Sequence, residues 1–161
     1  MSPVTWILVA DRSRAKLLHV LPDGKVPYPT LGCWIHEAGR LQPRERDAEE
    51  PGRVIHPAGY ASAVEPHEDR DHVEARRFAK ELVNHLEHLR QEHRFDRFVV
   101  IAPPGFLGVL RESWTPSLHS MIIRELNLDL SGLPETELQK RLESLDIGDI
   151  SSTSSRMTTP L

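Results

Sequence analysis

Two short, uninterrupted apolar runs constrain the fold more than any other feature: Trp6-Ile-Leu-Val-Ala10 and Phe98-Val-Val-Ile-Ala102. Each ends at a breaker, Asp11-Arg-Ser-Arg14 after the first and Pro103-Pro104-Gly105 after the second. Runs this short, rich in β-formers and without alternation, read as strands buried on both faces. A chain that contains such strands must cover a sheet with helices, so the remaining segments are read for what supplies that cover.

Ala15-Lys-Leu-Leu-His-Val-Leu21 reads as a second strand, joined to the first by a hairpin or tight corner. Pro22-Asp-Gly24 is turn chemistry, and a third strand is expected over Thr30 to His36, closed by Gly39. The strongest helix signal runs from about Pro66 to His93. Pro66 suits a first helical position, and Glu68, Asp69 and Asp71 lie where a helix N-terminus favours negative charge. Ala75, Phe78, Ala79, Leu82, Leu86 and Leu89 share one arc roughly 100° wide, the face that packs on the sheet. Further along, the spacing predicts a helix from about Phe106 to Glu112, then Thr115-Pro116 as a cap and first turn. Met121 to Leu130 reads as a strand in its second half, with a continued helix as the alternative. A last helix opens at Leu133 and ends near Leu145. The order β-β-β-loop-α-β-α-β-α gives an α/β protein, a single domain over residues 1–147 with a mixed β-sheet flanked by helices and no internal repeat. The Ser/Thr-rich tail, 148–161, reads as disordered.

Residues 40–66 fit neither period. They carry Pro43, Pro51, Pro57 and Pro66, Gly52 and Gly59, and a mixed-charge run from Arg44 to Glu50. Irregular segments of this length are uncommon inside a domain and carry function more often than average. Arg40, Arg44, Arg46 and Arg53 are balanced by Glu45, Asp47, Glu49 and Glu50, so no strong phosphate clamp is indicated. Arg53, His56 and Tyr60 can still stack on and hydrogen-bond to single-stranded RNA. Gly59 permits a positive φ or a close backbone approach. The alternative is a solvent loop with a few residues tucked onto the sheet.

The net charge of −4 over 161 residues argues against an undirected grip on nucleic acid, which needs a basic face. Cys33 is the only cysteine, which excludes an internal disulfide and a cysteine-based zinc site and suits a reducing compartment. The apolar run from Val4 to Ala10 follows no basic region and is too short for a signal peptide core. No run approaches the roughly 20 apolar residues that cross a bilayer. The expectation is a cytoplasmic protein without membrane insertion.

Asp11 ends the first strand, where α/β proteins often place ligand-facing residues, and Arg12, Arg14 and Lys16 follow closely enough to meet a phosphate backbone. The competing reading is an Asx turn with a solvated basic corner. His85 and His88 share one flank of the long helix with Glu74, Glu81 and Glu92, a spacing that suits a His/carboxylate metal site. That flank is equally a solvated face in which Glu81 pairs with His85, and no third ligand from another element is readable. His93 reads as a packed or helix-terminal residue. No paired carboxylate, nucleophile elbow or phosphate-binding glycine loop is present, so no catalytic residue, metal or cofactor is implied.

Several segments, taken in order, carry a resemblance: Trp6-Ile-Leu-Val-Ala-Asp-Arg-Ser-Arg-Ala15, Gly52-Arg53 with Ala58-Gly59, Glu65-Pro66, Glu74-Ala-Arg-Arg-Phe-Ala79, Arg94-Phe-Asp-Arg97 and Ala102-Pro-Pro-Gly-Phe-Leu-Gly108. Together they resemble the bacterial host attachment protein family, grouped with bacterial relatives of the archaeo-eukaryotic class 1 release factors. The resemblance implies the fold of the middle domain of those factors, in which a Gly-Gly-Gln loop precedes a long helix. Here the corresponding stretch reads Ala58-Gly59-Tyr60-Ala61-Ser62, with neither a second glycine nor a glutamine. The implied activity is therefore binding to the ribosome or tRNA through the 40–66 loop, without the usual device for hydrolysing peptidyl-tRNA. Arg53, His56, Gly59 and Tyr60 form its tip, and Arg12 and Arg14 offer a secondary phosphate contact. Two other classes remain open: a protein-interaction factor supporting attachment to host cells, and a weak metal-dependent hydrolase using Glu81, His85 and His88.

Overall fold

The two apolar runs lie side by side at the centre of a five-stranded sheet. The computed structural model describes residues 3–40 and 60–147. In chain order the elements are β1 (Thr5–Ala10), β2 (Arg14–Val20), β3 (Thr30–Ile35), α1 (Glu37–Arg40), α2 (Tyr60–Gln91), β4 (Arg97–Ala102), α3 (Pro104–Ser113), α4 (Pro116–His119), β5 (Ile122–Asn127) and α5 (Glu135–Ser144). The strands are ordered β3-β2-β1-β4-β5. The β1–β2 and β2–β3 pairs are antiparallel, and β1–β4 and β4–β5 are parallel, so the sheet is mixed.

Every residue of β1 and of β4 is buried. Alternate side chains of these strands enter two separate cores. Trp6, Leu8, Phe98 and Val100 pack under α2, α3 and α4 through Phe78, Leu82, Leu86, Phe106, Leu110 and Leu118. Ile7, Val9, Val99 and Ile101 face α5 through Leu138 and Leu142, with Tyr28, Leu130 and Ile147 closing that side. This is a single mixed α/β domain whose central strands are apolar from Trp6 to Ala10 and from Phe98 to Ala102 because both faces are covered.

The arc on the long helix packs as its spacing predicts: Ala75, Phe78, Ala79, Leu82 and Leu86 are buried, and Leu89 packs partly against the same core. Two boundaries differ from the sequence reading. The helix α2 starts at Tyr60 rather than Pro66, so residues 60–66 of the 40–66 segment are helical. Ala61, Ala63 and Glu65 are strong helix formers that offset Pro66 at the seventh helical position, which forgoes its own N–H bond and crowds the carbonyl four residues back. Gly39 does not close β3, which ends at Ile35, but sits inside α1. Residues 41–59, with Arg53, His56 and Gly59, and the tail 148–161 lie outside the described residues.

Other local features follow the sequence reading. Thr115 caps α4 by accepting from the Leu118 N–H at 3.1 Å, with Pro116 at the first helical position. The Thr115 hydroxyl also donates to Glu87 at 3.0 Å, tying α4 to α2. Hydrogen bonds from Arg90 and Thr115 hold the Glu87 carboxyl below its usual range, Arg90 contributing most. The 122–127 segment is a strand, and Pro22-Asp-Gly24 turns with Gly24 at φ 73 and its N–H bonded to Leu21 at 2.8 Å.

Candidate functional site

The basic corner that follows β1 is built around Asp11. One carboxylate oxygen of Asp11 accepts from the backbone N–H groups of Ser13 (2.8 Å) and Arg14 (2.9 Å) and from the Ser13 hydroxyl (3.0 Å). The Asp11 N–H donates to the Arg14 carbonyl at 2.9 Å. This is the Asx-turn geometry that makes aspartate a favoured turn residue, and it sets the reversal from β1 into β2. The second oxygen accepts from the Ser131 hydroxyl, across the sheet end from the segment before α5, and faces Arg14 Nε at 3.6 Å. Asp11 is therefore occupied within the protein rather than aimed at a ligand.

Arg12 and Arg14 are exposed at this corner. Lys16, one strand pair further in, bonds Glu135 in the first turn of α5 at 2.9 Å. Gln139 donates to the other oxygen of Glu135 at 2.7 Å. Those two bonds, Gln139 first and Lys16 second, hold the Glu135 carboxyl below its ordinary value. Between this frame and the end of β3 lies a cavity of about 330 Å³ lined by Arg14, Ala15, Lys16, Cys33, Trp34, Ile35 and Ser131. Arg14 and Lys16 were legible as a basic pair. The contribution of Ser131 was not, because it sits 120 positions from Asp11 and nothing local marks it.

The direction of α2 relates the corner to the segment that precedes the helix. Its C-terminal end is pinned at the edge where β1 and β4 begin: Phe95 stacks on Trp6 with centroids 4.6 Å apart, and the Val4 N–H donates to Asp96 at 2.7 Å. At the opposite edge, where β3 ends, His36 bonds Glu74 at 2.8 Å and its ring stacks on Phe78 at 5.2 Å. Glu74 also accepts from Arg77 at 3.0 Å. Fourteen helical residues precede Glu74, from Tyr60 to Val73. At 1.5 Å each they extend α2 roughly 21 Å past that level. Tyr60 heads the helix at the far end of this extension, on the same edge of the sheet as Arg12 and Arg14.

The histidine flank of α2 behaves otherwise. His85 lies against the Trp34 ring, with centroids 5.2 Å apart. His36, not His85 or His88, takes up Glu74. Among the described residues no three His, Cys, Asp or Glu side chains converge as a metal set. His93 ends α2 in a left-handed conformation, φ 57, as a helix-terminal residue. No described helix is long and apolar enough to cross a membrane.

A family model described as "Protein required for attachment to host cells" matches residues 6–142. No curated protein matches the chain. Among solved structures, the crystal structure of the archaeal translation termination factor aRF1 matches with a TM-score of 0.46 and 10% sequence identity, covering 95% of this chain and 42% of that one. The chain thus spans about two fifths of the length of that factor.

Proposed function

The chain belongs to the family of proteins required for attachment to host cells, and on that premise we propose that it is a cytoplasmic binding factor acting on the ribosome or tRNA through the 40–66 segment. In this reading Arg53, His56, Gly59 and Tyr60 make the tip, and Arg12 and Arg14 a secondary phosphate contact. The observation that supports it best is the long reach of α2 beyond the sheet. A helix of 32 residues spans roughly 48 Å, against roughly 20 Å for a six-residue strand. The excess lies at the end that carries the 40–59 stretch, on the edge that bears Arg12 and Arg14. The sequence motifs shared with release-factor-like bacterial proteins point the same way. Without a Gly-Gly-Gln sequence the activity proposed is binding, not hydrolysis.

The test is co-sedimentation with bacterial ribosomes at low and high salt. Wild type is compared with a variant in which residues 44–58 become a Gly/Ser segment of equal length. Salt-sensitive sedimentation of the wild type, lost in the variant, is the expected result, since phosphate contacts weaken as salt rises. Failure of the wild type to sediment, or equal sedimentation of both, overturns the proposal.

A second reading, a protein-interaction factor, draws on a different feature. The edge strand β3 carries Leu31 and Ile35 exposed at 45% and 62% and contains no charged residue. Uncharged edges offer a strand for pairing with another chain. If this reading holds, Ile35→Lys abolishes capture of a protein partner and the 44–58 replacement leaves it intact.

A further inference from the structure

The cavity beside the β1–β2 corner has a donor set that the loop-based reading does not use. Its cations come from alternate positions of β2, the exposed Arg14 and the half-buried Lys16, and the rest of its lining from Cys33 and Ile35 of β3 and from Ser131. Each charged group is held by a partner that leaves capacity over. Asp11 already accepts four hydrogen bonds, and its 3.6 Å separation from Arg14 Nε is too long to count as another. The guanidinium of Arg14 therefore keeps its fork of donors for an oxyanion. Lys16 gives one of its three N–H donors to Glu135, which Gln139 holds from its other side. The Ser131 hydroxyl spends its proton on Asp11, so its oxygen presents lone pairs as an acceptor. Ile35, exposed at 62%, supplies an apolar surface with no covering side chain from α5.

We propose that this cavity binds a nucleoside 5′-monophosphate, either free or as the 5′ end of an RNA. The phosphate sits between Arg14 and Lys16, a ribose hydroxyl donates to Ser131 Oγ, and the flat base covers Ile35 and Cys33. Arg14 and Lys16 each face one carboxylate, Asp11 at 3.6 Å and Glu135 at 2.9 Å, so the phosphate is held by their directed N–H donors rather than by a net positive charge. A volume of about 330 Å³ is at the lower end of small-ligand sites, adequate for one nucleotide. None of the described lining residues belongs to the 40–66 segment, so the fate of this proposal and that of the ribosome reading are tested by different variants.

Cys33 is exposed in this cavity and is the only cysteine of the chain, which makes it a single-site reporter. Its alkylation by N-ethylmaleimide is followed by intact mass in the presence of AMP, adenosine, ribose 5-phosphate or a 5′-phosphorylated oligoribonucleotide. AMP well above its dissociation constant is expected to slow the reaction about tenfold, because only the unliganded fraction reacts. Adenosine is expected to leave the rate unchanged, and ribose 5-phosphate to protect less than AMP. Protection by the oligonucleotide at lower concentration than AMP identifies an RNA end as the ligand; the reverse order identifies the free nucleotide. Arg14→Gln abolishes protection, whereas Arg12→Gln, outside the cavity lining, retains it. A second readout is direct calorimetric titration of AMP into wild type and Lys16→Met. Equal alkylation rates with and without millimolar AMP, or protection that survives Arg14→Gln, overturn the proposal.

Discussion

His93 illustrates what a single residue contributes to ending a long helix. Its N–H donates to the Arg90 carbonyl at 2.9 Å and the Arg94 N–H to Leu89 at 3.0 Å, the paired bonds of a Schellman cap, with His93 itself at φ 57. A left-handed conformation costs any residue with a Cβ, although histidine tolerates it better than most. His93→Gly is predicted to stabilise the fold by about 0.5–1 kcal/mol, the surplus left after the flexibility glycine adds to the unfolded chain. Urea unfolding of the two proteins checks this, and a lower midpoint for the variant refutes it. Arg97 makes the opposite point. It is buried, bonds the Thr5 hydroxyl through Nε at 2.8 Å, and its Nη2 has no partner among the described residues. Burial pushes its guanidinium pKa down. Arg97→Met keeps the aliphatic volume and removes a buried charge whose desolvation outweighs the attraction of Asp96. It is expected to be neutral or stabilising by up to about 1 kcal/mol, again read from the urea midpoint. Neither residue was legible at this level of detail. The sequence shows Arg94 and Arg97 in one short motif, and only packing decides that Arg94 stays exposed while Arg97 enters the sheet end.

The element that depends most on polar contacts is α5, whose docking on the sheet runs through Gln139 and Glu135. Gln139 accepts from the Tyr28 N–H at 2.9 Å and donates to the Tyr28 carbonyl at 3.0 Å, completing a strand-like pair for a backbone that has left the sheet. Gln139→Leu removes both bonds at a buried position and is predicted to cost about 2–3 kcal/mol, measured by denaturant unfolding. Glu135 adds a pH dependence with a definite sign. Its carboxyl is held below the ordinary value of 4.5, so the native state binds this proton more weakly than the unfolded state does. The stability it contributes is complete above that value and is lost as pH falls through the native pKa. Glu135→Gln is therefore expected to lower stability at neutral pH and to lower it less in acid, as the pH falls well below the ordinary carboxyl value. Urea midpoints at neutral and acid pH decide it; a gap of constant size means the carboxylate is not held as described. At this scale the sequence was informative wherever a pattern is local. The arc of α2 and the Thr115-Pro116 cap were readable because period and cap chemistry lie within a few residues. The start of α2 was misplaced because Pro66 is a legitimate first-turn residue that the chain uses one turn and more into the helix.

For the whole molecule, the two apolar runs dictated the architecture, since strands buried on both faces leave a layered α/β sheet as the arrangement that covers them. The candidate sites were less legible because they join distant parts of the chain: Lys16 meets Glu135 across 119 positions and Asp11 meets Ser131 across 120. The architecture also predicts how separable function is from folding. Among the described residues, both cores are filled mainly by side chains of β1, β2, β4 and the helices. A Gly/Ser replacement of equal length keeps the loop-closure entropy nearly the same. The 44–58 variant is therefore expected to unfold within about 1 kcal/mol of wild type. Leu8→Ala, by contrast, removes a fully buried side chain beneath α2 and is expected to cost about 3 kcal/mol. Thermal and urea unfolding of the three proteins supply the comparison. If the loop variant falls as far as Leu8→Ala, the segment is part of the folded core and any loss of ribosome sedimentation would only report unfolding. If it stays with wild type, the same loss is a statement about binding, and the long reach of α2 is the device that presents the segment to its partner.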